Sequence, residues 1–121
     1  MKSIEFAYEN LEVWNKAVDF AVSVVKTVGE ISTGRKHFRL LEQIESSSTS
    51  ISMNIAEGKG RYSKKEFTHF LYIARGSLYE TMTLLEIFRR VGWITDEKYG
   101  ELEKYGIEIA SMLIGLVKSI K

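Results

Sequence analysis

The sequence predicts an all-α fold, an antiparallel up-down-up-down four-helix bundle. Three observations carry that prediction. Apolar residues recur at steps of three and four through four long segments. The 121 residues contain no proline, whereas a loop-rich or all-β chain normally carries several. The connections between segments are short, so sequence neighbours should run antiparallel. Each segment, at about twenty residues, spans roughly 30 Å. The chain reads as one domain over residues 1–121 with a tail at 1–9, and it shows no internal repeat.

The first segment starts at Asn10, a residue type suited to an N-cap. Leu11, Trp14, Ala17, Val18, Ala21, Val22, Val25 and Val28 form its stripe, and Gly29 with Ser32 to Gly34 ends it. The second segment holds "ESSSTSISMN" at 45–54, whose composition is that of a flexible linker. Phe38, Leu41, Ile44, Ser48, Ile51 and Ile55 nevertheless keep helical register straight through it. A linker has no reason to keep that register. One helix is expected from about Arg35 to Glu57, stopped by Gly58 and Gly60. Serine is a mediocre helix former, so packing must hold this helix, with small side chains such as Ser48 admitting a close neighbour.

The third segment opens on "SKKE", a capping box in which Ser63 caps the amide of Glu66 and Glu66 reaches back. Phe67, Phe70, Leu71, Ala74, Leu78, Leu85, Phe88 and Val91 follow on one face, and Gly92 is the C′ residue. Gly76 lies inside this helix at a cost of about 1 kcal/mol; close approach by another backbone would explain it. The fourth segment is capped by Thr95, has Asp96 and Glu97 in its positive first turn, and can staple Ile94 onto Tyr99. Leu102, Ile109, Met112, Leu113, Leu116, Val117 and Ile120 give its stripe, while Gly100, Gly106 and Gly115 require packing to justify them.

Composition excludes several classes of protein. There is no cysteine, hence no disulfide scaffold, thiolate zinc site or cysteine nucleophile. The net charge of +1 gives no overall field toward nucleic acid or an anionic membrane. The N-terminus lacks a signal-peptide core, and no apolar run is long enough to span a bilayer. A cytoplasmic protein with no membrane association is expected.

Three motifs occur in order: "YENLEVWNKAVDF" from Tyr8, "SMNIAEGKGRYSKKEF" across the second turn, and "FLYIARGSLYE" in the third helix. With them the chain, from Tyr8 to its C-terminus, resembles the bacterial four-helix-bundle family encoded in intervening sequences of the large-subunit (23S) ribosomal RNA gene. It is similar to the accessory protein of diversity-generating retroelements, which works beside a reverse transcriptase and binds nucleic acid. The resemblance implies a homopentamer, and most members have no known biochemical function. Family members often carry a basic pair after Gln43-Ile44 and a proline after Ile51. Here those positions are Glu45, Ser46 and Ser52, which weakens a carry-over of nucleic-acid binding.

No catalytic constellation stands out. "EFTH", Glu66 to His69, is half of a di-iron bundle's ligand set, but the other histidine, His37, has Gly34 three residues before it. No serine sits in a nucleophile elbow, and no strand precedes "GKGRYSKKE" as a P-loop requires. No cofactor, metal or small-molecule substrate is expected. The best binding candidate is the second turn, with Lys59, Arg61, Lys64 and Lys65 around Tyr62 and no acidic residue from Gly58 to Lys65. Taken alone it is a solvated turn. Two points argue for more: helix N-terminal amides suit a phosphate, and lysines there oppose the helix dipole. A second basic patch, Arg35, Lys36, His37 and Arg39, should lie at the opposite end near Arg89 and Arg90. Glu57 and Arg75 are expected to serve structure, Glu57 as a cap and Arg75 in an ion pair with a neighbouring helix. Tyr72 and Tyr79, seven apart around Gly76, describe a flat aromatic surface suited to an oligomer interface.

Two functions compete. The first is a non-catalytic oligomeric binding module whose partner is RNA, DNA or a nucleic-acid enzyme. The alternative is a structural or protein-interaction bundle with no nucleic-acid role. An enzyme is a third class that no constellation supports.

Overall fold

The computed structural model describes residues 6–33 and 36–120. A 3-10 turn over Ala7–Asn10 leads into α1 (Glu12–Gly29), α2 (Phe38–Lys59), α3 (Lys64–Arg90) and α4 (Asp96–Ile120), with no strand among the described residues. The helices form a ring in which α1 and α3 each pack on both α2 and α4. Residue numbers run in opposite senses across the contacts. Ser47 meets Thr81 and Gly58 abuts Phe70 between α2 and α3. Gly106 abuts Met82 between α4 and α3. Lys16 pairs with Glu108 and Phe20 faces Tyr105 between α1 and α4. The bundle is therefore up-down-up-down. Phe20, Ile44, Ile51, Ile55, Leu71, Leu85, Phe88 and Ile109 form the heart of a single core. No helix is long and apolar enough to cross a membrane among the described residues.

Helix α1 differs from the sequence expectation in two ways. Asn10 does not cap it: the N-cap position is Leu11, without a side-chain bond, and Asn10 belongs to the 3-10 turn. Phe6 stacks on Tyr8 at 5.5 Å and Tyr8 leans on Trp14 at 4.8 Å, so the turn is folded onto the bundle rather than trailing as a tail. Residues 1–5 of the expected tail lie outside the described residues. The buried face is also rotated. Val13, Ala17, Phe20, Val24 and Val28 enter the core, whereas Val22 and Val25 are 47% and 37% exposed. The helix is valine-rich on two faces, and the period alone does not choose between them.

The serine stretch is helical throughout, inside α2. Ser47 and Ser48 are buried, and Ser46 is exposed. The hydroxyls of Ser47 and Thr81 share a hydrogen bond at 2.8 Å, and those of Ser50 and Ser77 share one at 3.0 Å. Ser48, Thr49 and Ser52 donate to carbonyls three or four residues back. Each buried hydroxyl thus has a partner, which removes the penalty for taking it out of water. The helix begins at Phe38, later than expected; Arg35 lies outside the described residues. Nor does Gly58 stop it. Gly58 is a buried helical residue, where a Cβ would meet the Phe70 Cβ at 2.6 Å. Gly60 is the C-cap, its N–H donating to the Ala56 carbonyl.

The Ser63 cap forms as expected: its hydroxyl accepts from the Glu66 amide at 3.1 Å, and the Glu66 carboxylate lies 3.1 Å from the same hydroxyl. Val91 is exposed rather than on the core face, because α3 ends at Arg90. Gly92 has φ +84°, which glycine adopts without strain. Thr95 caps α4 by accepting from the Lys98 amide at 3.0 Å. Gly106 is packed against the Met82 sulfur; Gly76, Gly100 and Gly115 have nothing within 4 Å of where a Cβ would sit. Packing inside the chain accounts for one of the four helix glycines of α3 and α4, and not for the other three.

Candidate functional site

The α2–α3 turn is set by chain reversal at Gly60 and the Ser63 cap, which fix where its cations point. The four predicted residues share one end of the bundle but divide into two kinds. Arg61 is committed to the protein: its Nη2 lies 2.5 Å from the Glu57 carboxylate, and its guanidinium sits 4.8 Å from the Phe70 ring centroid. Lys59 holds its ammonium over Phe67 at 5.6 Å. Lys64 and Lys65, in the first turn of α3, are exposed and have no ion pair to any described residue. Tyr62, at the apex, is fully exposed. Beside it an open cleft of about 560 Å³ is lined by Tyr8, Met53, Ala56, Glu57, Gly60, Arg61, Tyr62 and Glu66. The expectation that Glu57 caps the turn is corrected: Glu57 serves as the Arg61 counter-ion, one helical turn away at i,i+4.

The aromatic surface on α3 exists, and sequence reasoning missed its centre. Tyr72, Gly76 and Tyr79 are all exposed. Arg75 has no carboxylate partner among the described residues; its guanidinium lies 4.9 Å from the Tyr72 ring and 5.7 Å from the Tyr79 ring. Tyr72, Arg75 and Tyr79 are i, i+3 and i+7, a spacing that puts all three on one face. Next to them Leu71, Leu113, Ile114, Val117 and Lys118 enclose a cleft of about 170 Å³ with Tyr72 and Arg75.

At the other end, His37 adopts a left-handed φ of 66° and packs at a tilt against Trp93 at 5.2 Å, which itself meets Phe88 at 5.0 Å. Arg89 and Arg90 do not add free charge to this patch. Both bind the Glu86 carboxylate, and Arg89 also reaches Asp96 at 3.2 Å and covers the Tyr99 ring at 5.2 Å. The bond from Arg90 and the one from Arg89 hold the Glu86 carboxyl below its ordinary range. Burial pushes the Tyr99 phenol up, and the nearby Glu103 and Glu86 charges add to the effect. This cluster ties the end of α3 to the start of α4.

Glu66 is bonded to Ser63, and His69 packs edge-on against Phe70 at 5.8 Å. No group of three or more acidic or histidine side chains that could hold a metal occurs among the described residues. A single bundle, an exposed basic-aromatic turn at one end and a tyrosine-flanked arginine on one side describe a small all-α protein with two exposed surfaces of different chemistry. The chain belongs to the 23S rRNA-intervening sequence protein family, whose model matches residues 9–115. It is similar to a protein of unknown function from the S23 ribosomal protein family of Bacteroides thetaiotaomicron VPI-5482. Identity is 34%, the match covers 88% of this chain and 98% of the other, and the TM-score is 0.81. No curated protein matches the chain.

Proposed function

We propose that the protein is a non-catalytic, homo-oligomeric binding module that contacts nucleic acid through the α2–α3 turn. The observation that carries this reading is the pair Lys64 and Lys65, exposed on the first turn of α3 with no ion pair to any described residue. Two ammonium groups beside free helix amides favour an anion, and repetition around a ring of chains multiplies the effect. The pentamer implied by the family resemblance would provide five such turns. The family's description, as proteins of 23S rRNA intervening sequences, is in keeping with a nucleic-acid context.

The test is a gel-shift series against structured RNA and duplex DNA at several salt concentrations. Lys64→Gln with Lys65→Gln should weaken binding to all sequences alike and reduce the salt slope, each lysine contributing roughly one counterion. Arg61→Gln should matter less, since its charge is already balanced by Glu57. The second reading, a protein-interaction bundle, is favoured by the Tyr72–Arg75–Tyr79 face. It becomes the better one if the parent binds no nucleic acid at low salt.

A further inference from the structure

Tyr62 is the most exposed large hydrophobic side chain among the described residues, and neither the core nor the cap uses it. Its ring has no aromatic or cationic neighbour among the described residues, whereas Phe67 and Phe70, in the opening turns of α3, are each covered by a cation. An aromatic face left open to water forgoes the gain from apolar burial. It is flanked in sequence by a basic residue on one side and, past Ser63, by Lys64 and Lys65 on the other. The cleft it borders also has Tyr8 in its wall. Two glutamates line that cleft, and both are occupied: Glu57 by Arg61 and Glu66 by Ser63. Glu57 is thus balanced by a cation, while Glu66, bonded to a neutral hydroxyl, keeps its charge in the same first turn as Lys64 and Lys65.

We infer that the site takes single-stranded nucleic acid, with a base stacked on Tyr62 at the mouth of the cleft and neighbouring phosphates on Lys64 and Lys65. The inference rests on the nucleic-acid reading above and narrows it. In a duplex the base faces are covered by their neighbours, so a protruding tyrosine finds backbone and groove edges but no face to stack on. In a single strand every base offers a π-face, and an aromatic platform beside cations is the arrangement that binds it without regard to sequence. The features present, one ring and two ammonium groups, meet base and phosphate and not the sugar. RNA and DNA strands of one sequence are therefore expected to bind alike.

The experiment uses the full chain and fluorescence anisotropy of labelled oligo(dA), oligo(rA) and the corresponding annealed duplexes. The parent should bind the single strands more tightly than the duplexes. Tyr62→Ala should lose about five-fold or more of single-strand affinity and leave duplex affinity unchanged. Tyr62→Trp should keep the affinity, and its added indole emission should be quenched by oligo(dA), a signal that charge alone does not produce. Tyr62 is outside the core, so circular dichroism of all variants should match the parent. Equal binding of single strand and duplex, abolished by Lys64→Gln with Lys65→Gln but untouched by Tyr62→Ala, overturns the inference and leaves the nucleic-acid reading standing. A preference that follows the sugar and not the Tyr62 ring also overturns it. A parent that binds neither form at low salt overturns both.

Discussion

At Gly58 the bundle has no room for a side chain. A methyl there would lie 2.6 Å from the Phe70 Cβ and 3.0 Å from a Phe67 ring carbon. The Phe70 Cβ sits next to the backbone, so α3 itself would have to move. Gly58→Ala should destabilise the chain by about 1–3 kcal/mol despite alanine's better helix propensity, as a lower urea midpoint with an unchanged slope. Gly106→Ala meets the Met82 sulfur, the flexible part of a side chain that can swing aside, and should cost less. From the sequence, Gly58 looked like a helix stop. Two glycines in three residues are a stop signal by composition, and only the partner helix reveals which one is packed. Arg61 was legible only in part for a related reason. Its charge could be counted in the sequence, but its pairing with Glu57 depends on α2 continuing to Lys59.

Among the helices, α2 and α1 give opposite lessons. The register of Ile44, Ile51 and Ile55 was enough to read α2 as a helix through its serines, and all three isoleucines are fully buried. The capping signals at Ser63 and Thr95 were equally legible, because they are local chemistry. In α1 the apolar face was legible only in part: Ala17, Ala21 and Val28 of the expected stripe are buried, whereas Val22 and Val25 are exposed. Valines at 13, 18, 22, 24, 25 and 28 fill two stripes, and which one is core depends on where α2 and α4 lie. The serines of α2 also set the α2–α3 spacing. Ser48 is wholly buried, with its hydroxyl turned back to the Glu45 carbonyl. Ser48→Ala should change stability by less than about 1 kcal/mol, while Ser48→Ile should cost about 1–3 kcal/mol by overpacking. Thermal unfolding followed by circular dichroism would order the two. A larger loss for alanine than for isoleucine would show that the hydroxyl, and not the space, matters there.

For the molecule as a whole, the open glycines allow the isolated chain and the proposed assembly to be tested separately. Gly76 has nothing within 4 Å of a would-be Cβ, and neither has Gly115. In an isolated chain each change to alanine should stabilise by about 1 kcal/mol through helix propensity. Gly76 lies between Tyr72 and Tyr79, on the face proposed for contact between copies, and there the added methyl should hinder close approach. Gly76→Ala is expected to lower the assembled mass by light scattering, relative to the parent, while Gly115→Ala leaves it unchanged. A parent of 13.9 kDa at micromolar concentration would remove the oligomer from the proposal. Oligomeric state is not legible in periodicity or spacing; exposed tyrosines mark a surface without naming what covers it.

The hairpin of α2 and α3 has a temporal consequence. Its two helices share the most extensive contact in the bundle and are joined by a connection of four residues, 60–63. Closing so short a loop costs little chain entropy, so this pairing should lead the folding reaction. The seam between α1 and α4, by contrast, joins Lys16 to Glu108 across 92 positions and should zip last. The same order in reverse makes that seam the first to open, and amides of α1 and α4 should exchange with solvent before those buried between α2 and α3.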